Sequence, residues 1–545
     1  MQKPRKYTLK RSNHTETPSC PGNILEADKP LSQSMIWKLQ ADFYANQGPK
    51  AWIKGIVPQY ITTNPYIANV YAKTVFGYLR DFSSTPEFDK DTTIYIMELA
   101  AGVGRFTYTF LKRFLHMLHN SSLKDLKFKY ILTDLAERNV TYWQNHSYLK
   151  PYFESGVLDC AVFDMENGKE LSLRYSKTIL QPEALKNPLI LFANYTFDSI
   201  PQDTFYVKSN NLHEGLITIT EKDNQKESES RKDNSILEGL DYYYTDNRIE
   251  GNDYYEDVNF NDILLSYKDC MEDTAFSMPV TALRCIRRLQ DIFGDDILLL
   301  STDKGYRTIA SMDKNYHPFL SKHGSISLTV NFHAIELYFK NLGGSALHSI
   351  YEHESVTTSL FLLSKHAHSF RETRMTYQEI TEGIGPDDFY ILKKGIVPLK
   401  NSLTTREMLT FLRYTLWDAR TFLEFYNTLL NRIEKEEDFP KETLIDAIYK
   451  VWEYYFPIGE DENLFYCLAT LLGYFGYDKD AIRLFQSSLE FYGEDAAIYY
   501  ELTLCYYNMQ EFEKALEHIN KALLLKTDFE EALSLKNLLT EVLQS

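Results

Sequence analysis

Ile94-Tyr95-Ile96-Met97-Glu98-Leu99-Ala100-Ala101-Gly102-Val103-Gly104-Arg105-Phe106 is the stretch that decides the fold. An apolar run carrying one acid, Glu98, gives way at Gly102-Val103-Gly104 to Arg105–Leu118, where apolar residues recur at helical spacing. Strand, glycine turn and helix in succession make a βα unit. Glycine lets a backbone approach a ligand closely, and the helix start offers free N–H groups. A P-loop would need GxxxxGK[ST], which occurs nowhere in the chain, and a dinucleotide fold would need a third glycine where Thr107 stands. An acid just before the turn suits the amino group of the methionyl tail of S-adenosyl-L-methionine (SAM).

The same alternation continues on both sides. Strands are expected at Thr93–Glu98, Phe128–Thr133, Leu158–Val162, Leu189–Ala193, Ile297–Ser301 and finally Ser325–Asn331. Helices are expected at Tyr66–Phe82, Ala136–His146, Pro279–Phe293 and Phe332–Asn341. Such alternation predicts an α/β fold, a mostly parallel Rossmann-like sheet covered by helices. Polar residues fall at successive strand ends, where open α/β sheets bind ligands. Asp134, in Thr133-Asp134-Leu135, is placed to accept from two ribose hydroxyls. Asp164, before Met165, is placed for an adenine amino group. Asn194, Tyr195 and Asp198 follow the fourth strand. Each acid alone also suits a helix cap. Four in succession, with glycine only at the first, point to a SAM site.

Several segments resemble, in order, the MidA-like SAM-dependent methyltransferases: GIVPQYITTNPYIANVYAKTVFGYL, IMELAAGVGRFTYTFLKRF, YILTDLAERNVTYWQ, LILFANYTFDSIPQDTF, ILLLSTDKGYRTIASM and GSISLTVNFHAIELYFKNLGG. That family includes the mitochondrial complex I assembly-factor arginine methyltransferase. The resemblance spans roughly residues 36–390 and implies a class I SAM-dependent methyltransferase domain with SAM as cofactor. It implies a cofactor-covering segment at Tyr60, Thr62, Thr63 and Pro65, a methionyl-binding turn at Glu98, Ala100, Gly102 and Gly104, and a ribose acid at Asp134. Leu135, Asp164 and Met165 complete the expected cofactor site, and Asn194 and Asp198 match the segment beside the methyl group. This chain departs from the family at three places. It has Asn194-Tyr195 for Asn-Glu, Ala100-Ala101-Gly102 for Gly-Pro-Gly, and Ser325–Phe332 lacks that segment's Asp and His.

A guanidinium acceptor needs carboxylates to orient it. Asp198 is the expected catalytic carboxylate, with Asn194 supplying polar contacts and Tyr195 an aromatic face; Asp303 and His333 are second candidates. No HExxH or GxSxG exists, His366 and His368 have no third ligand in view, and His348 and His353 are spaced for opposite sides of a helix, so no metal is expected.

Past about Thr357 the chain reads as helices only. Leu468, Ala481, Phe485 and Ser488 recur 34 residues later as Leu502, Ala515, Ile519 and Ala522, and Gly476 returns as Gln510. That period is the tetratricopeptide (TPR) pattern, with Glu530–Leu543 as a capping helix. The expected organisation is a flexible tail over 1–34, a methyltransferase domain over 35–390, a helical connector over 391–460 and TPR repeats over 461–545. Residues 221–257 hold 12 acidic and 5 basic residues and read as a polar insertion loop.

The 545 residues carry 58 Lys+Arg against 76 Asp+Glu, a net charge of −18, which disfavours nucleic-acid or anionic-membrane binding. Six scattered cysteines without a CxxC pair, no secretory signal and no long apolar run predict a soluble cytoplasmic protein. The function expected is SAM-dependent methylation of a protein side chain, with the repeats recruiting a protein partner or the substrate. The residues leave open a non-catalytic adaptor on a degenerate methyltransferase fold, or a small-molecule methyltransferase.

Overall fold

The computed structural model describes residues 23–168, 170–180, 187–221, 236–312, 320–322, 324–351 and 355–544. At its centre is a seven-stranded sheet of β1 (Ile94–Leu99), β2 (Phe128–Asp134), β3 (Leu158–Val162), β4 (Leu189–Asn194), β5 (Ile297–Asp303), β6 (Ser345–His348) and β7 (Thr357–Leu363). Their order is β3-β2-β1-β4-β5-β7-β6. The first five are parallel, while β7 runs antiparallel between β5 and β6. After β1 the chain moves outward to β2 and β3, then returns to the other side of β1 as β4. The crevice between the ends of β1 and β4 is therefore the topological switch point, the ligand-binding place of doubly wound sheets.

The strands are continuous apolar runs because both faces are covered. Ile96, Leu132, Ile190 and Leu300 face the helices Pro65–Phe82 and Arg105–His119. Their neighbours Met97, Ile131, Leu191 and Leu299 face the helices Val258–Cys270, Val280–Phe293 and Phe332–Asn341. The expected end of the sheet is corrected. Ser325–Asn331 supplies only two short strands outside it, Ile326–Leu328 and Val330–Asn331, and β6 and β7 complete the sheet beyond. The region past Thr357 therefore begins with a strand.

A second, antiparallel sheet joins Ile24–Pro30, Asp203–Lys208, Asn211–Glu221, Leu240–Ile249 and Thr274–Met278. It corrects two expectations. Residues 24–33 form a strand and a helical turn with Leu31 buried, so this part of 1–34 is no flexible tail; 1–22 lie outside the described residues. Of the 221–257 insertion, Leu240–Ile249 is a paired strand, and 222–235 lie outside the described residues.

From Arg371 the chain is helical. Leu464–Tyr474 with Asp478–Tyr492, and Ala496–Asn508 with Phe512–Leu525, form two helical hairpins, followed by Glu530–Gln544. The repeat positions Leu468, Ala481, Phe485 and Ser488 and their counterparts Leu502, Ala515, Ile519 and Ala522 are all fully buried. Gly476 and Gln510 both hold left-handed backbone, φ 82° and 60°, so the two hairpins turn alike. This region has its own core and packs on the sheet domain: the His146 ring stacks on Phe456 at 4.1 Å, and His146 Nε2 lies 2.8 Å from the Pro457 carbonyl. No helix among the described residues is long and apolar enough to cross a membrane.

Candidate functional site

A cavity of about 700 Å³ opens over the C-terminal ends of β1, β2 and β4. That falls within the roughly 300–1,000 Å³ of small-molecule sites. Its floor is the turn after β1. Ala100, Gly102 and Gly104 take φ of 49°, 58° and 79°, a left-handed path natural for glycine and strained at Ala100. Gly102 N–H donates to Asp134 Oδ2 at 3.2 Å, and Trp143 Nε1–H donates to the Gly102 carbonyl at 2.9 Å, which fixes the turn. A β-carbon on Gly102 would meet the Trp52 ring at 3.2 Å.

Glu98, at the end of β1, is buried on the cavity wall. Its Oε2 accepts the hydroxyls of Thr107, at 2.5 Å, and Tyr130, at 2.6 Å. Burial raises the Glu98 pKa to about 7 against the lowering effect of those two donors. Asp134 accepts Ala136 N–H on Oδ1 at 2.9 Å as well as Gly102 N–H on Oδ2, and burial outweighs these bonds to raise its pKa. Leu135 beside it is 46% exposed although apolar, and lines the cavity with Met165.

At the other end of the cavity, Asn194 Oδ1 accepts the Tyr71 hydroxyl at 2.6 Å and Thr302 N–H at 3.2 Å. Its Nδ2 is buried with no hydrogen-bond partner, a donor left uncommitted on a cavity-lining residue. Tyr195 follows in left-handed backbone, φ 47°, an uncommon state for a bulky side chain. Burial, then the carboxyls of Asp303 and Asp198, hold its hydroxyl far above the ordinary range.

Asp198 is 6% exposed, accepts Ser199 Oγ–H at 2.7 Å and has the buried Asp303 carboxyl as a neighbour. Burial raises Asp198 to about 6, and burial with the neighbouring Asp198 raises Asp303 well above the carboxylate range. Asp303 Oδ2 accepts backbone N–H from Thr196, Phe197 and Asp198 at 3.1, 2.9 and 3.2 Å. It is thus the strap behind the loop, off the cavity wall.

Of the expected cofactor residues, Glu98, Ala100, Gly102, Asp134, Leu135, Asp164, Met165, Asn194 and Thr63 all line this cavity, as do Tyr195 and Asp198. Several placements differ from expectation. Gly104 is not on the wall; it starts the helix at φ 79°, and a β-carbon there would meet Trp143 at 3.3 Å. Asp164 commits its carboxylate to its own turn, accepting Glu166 and Asn167 N–H at 2.7 and 3.1 Å. Tyr60 points to the helical region, donating to Asp418 at 2.7 Å. His333 lies off the wall, 2.9 Å from the Tyr267 hydroxyl. Among the described residues no cluster of three or more His, Cys, Asp or Glu is arranged for a metal ion.

The roof was not legible in the sequence. Helix Met35–Gln47 lies across the cavity with Trp37, Gln40 and Tyr44 on the wall. Gln40 is 2% exposed; its amide donates to the Ser199 carbonyl at 2.8 Å and accepts Ile326 N–H at 2.6 Å. The cavity face of this helix is 37/40/44.

No protein-family model and no curated protein matches the chain. Among solved structures it is similar to an uncharacterized Burkholderia thailandensis protein, at 11% identity over 59% of this chain and 74% of that one, TM-score 0.36. A second Burkholderia thailandensis protein, described as a "likely methyl transferase" bound to S-adenosyl-homocysteine, matches at 11% identity over 59% and 82%, TM-score 0.33. The protein MamA matches at 20% identity over 28% and 82%, TM-score 0.24. Likenesses this distant carry no functional weight; the site's own geometry does.

Proposed function

We propose that the chain is a SAM-dependent methyltransferase of class I architecture acting on a protein side chain, with a TPR-type helical region that recruits the substrate or a partner. One observation carries this reading: the left-handed Gly102 turn, Asp134 and Asn194 with its uncommitted Nδ2 surround one cavity at the switch point of a doubly wound sheet. The residues fit the cofactor. A β-carbon on Gly102 would press on the Trp52 ring, Asp134 is a carboxyl on the cavity wall where ribose hydroxyls are expected, and Glu98 is an acid beside the turn where an ammonium is expected.

SAM, when bound, supplies an electrophilic methyl group on a sulfonium. The chain's own residues do the rest. Trp37, Tyr44 and Trp52 cover the cavity and limit water, and Asn194, held by Tyr71 and Thr302, offers a fixed amide beside the reacting end. Above its pKa of about 6, Asp198 is ionised and orients a cationic acceptor or takes its proton at a carboxylate oxygen. Alignment of acceptor and donor is the main catalytic contribution in such a transfer.

A second reading, a small-molecule acceptor, is favoured by the roof, since the Gln40 latch narrows access for a protein segment. The test is calorimetric titration with SAM and S-adenosylhomocysteine, followed by methyl transfer to peptides and to a small-molecule panel. Saturable binding lost in Gly102→Asp supports the cofactor site; no binding by folded wild type overturns it. Binding without any turnover leaves the adaptor reading.

A further inference from the structure

Arg105 is the first residue of the helix that follows the glycine turn, and it lines the cavity. Its guanidinium pairs with Glu460: Nη1 donates to Oε1 at 3.1 Å, and Nη2 lies 2.8 Å from Oε2 as an ion pair. Glu460 lies in the helical region, between helices Lys441–Tyr454 and Leu464–Tyr474. The pair is largely buried, with side chains 12% and 22% exposed, where a charge-assisted hydrogen bond is strong.

The same carboxylate reaches a second wall. Glu460 Oε1 accepts from Arg420 Nη2 at 3.3 Å, and the Arg420 guanidinium lies 4.6 Å over the Tyr60 ring. Lys393 sits 4.3 Å over that ring, 2.6 Å from its hydroxyl and 3.0 Å from Asp418. Tyr60 opens the short helix Tyr60–Thr63, whose Thr62 and Thr63 line the cavity. The helical region therefore grips both the glycine turn and the segment facing it.

We propose that Glu460 is a positioning residue for the cofactor site, holding Arg105 and through it the Gly102–Gly104 turn, so that cofactor affinity and docking of the helical region are linked. The proposal rests on the SAM reading above. Linkage is reciprocal: a partner that draws the helical region away weakens cofactor binding by the factor by which cofactor opposes that partner.

The test uses the full chain, with S-adenosylhomocysteine affinity by calorimetry and melting temperature measured together. Glu460→Gln keeps shape and removes charge, and weakens binding about tenfold. Glu460→Asp keeps the charge and restores most of that loss. Arg113→Met is the control. It breaks a docking contact off the cavity wall, where Arg113 donates to the Leu416 carbonyl at 3.1 Å and lies 4.4 Å over the Tyr454 ring, and it leaves affinity unchanged. Wild-type affinity in Glu460→Gln, or an equal loss in Arg113→Met, overturns the proposal. If Glu460→Gln does not fold, Arg420→Gln decides: its side chain is 45% exposed, so the fold tolerates the change, and an unaltered affinity overturns the proposal. Failure of wild type itself to bind removes the underlying SAM reading, and the proposal falls with it.

Discussion

The indole of Trp52 lies against Gly102, close enough that a β-carbon on Gly102 would sit 3.2 Å from it, and it stacks on Tyr44 with ring centres 5.7 Å apart. Roof and floor of the cavity are thus in direct contact at a glycine.

Gly102→Ala combines a left-handed backbone, φ 58°, with that contact. Gly55, φ 65° with nothing within 4 Å, isolates the backbone component. Gly55→Ala is expected to lose about 1 kcal/mol in urea unfolding. Gly102→Ala is expected to lose more than that and to weaken S-adenosylhomocysteine binding, which Gly55→Ala leaves intact.

Ala100 is the converse case. It holds φ 49°, where glycine is unstrained. Ala100→Gly is expected to raise stability by about 1 kcal/mol, read from the denaturation midpoint, without loss of cofactor affinity.

How much of this was legible in the sequence depends on range. Strands β1 to β5 are buried on both faces, so they are continuous apolar runs, and the acids at their ends stood out against them. The strand Leu240–Ile249 is a half-exposed edge carrying Asp241, Asp246 and three tyrosines, a composition that reads as loop. Strand β6 has four residues, too few for a periodic signal, and β7 opens on three hydroxyl residues, Thr357, Thr358 and Ser359, that dilute its apolar run. Gln40 reaches partners 159 and 286 positions away, and Arg105 meets a residue 355 positions away. Tertiary contacts of that span leave no mark on local spacing.

Glu98 gives a pH signature. Its pKa in the fold, about 7, lies above the ordinary 4.5 because of burial. A raised carboxyl binds its proton more tightly in the folded state, so its stabilisation is complete below 4.5 and lost as pH rises through about 7. Asp198, raised to about 6, acts in the same direction. Glu98→Gln is expected to flatten the fall in stability between pH 5 and 7, measured by thermal melts across that range. An ammonium bound beside Glu98 would lower its pKa, so wild type is expected to release a proton on binding S-adenosylhomocysteine near pH 7. Calorimetry in buffers of different ionisation heat measures that proton, and Glu98→Gln is expected to lack it.

Tyr71→Phe probes the other end. The buried hydroxyl donates to Asn194 Oδ1 and lies 2.9 Å from Thr302 Oγ1. Its removal is expected to cost about 1–2 kcal/mol of stability. With Asn194 proposed at the reacting end, turnover is expected to fall at least tenfold while S-adenosylhomocysteine affinity changes little, a split read from kcat and Kd.

The most direct test of the central claim is a crystal structure of the full chain with S-adenosylhomocysteine. The account predicts its amino-acid end on the Gly102 turn beside Glu98, its ribose hydroxyls on Asp134, and its sulfur toward Asn194 and Tyr195. Density for the ligand elsewhere, or a cavity filled by the Trp52 and Tyr44 rings with the ligand excluded, would contradict it.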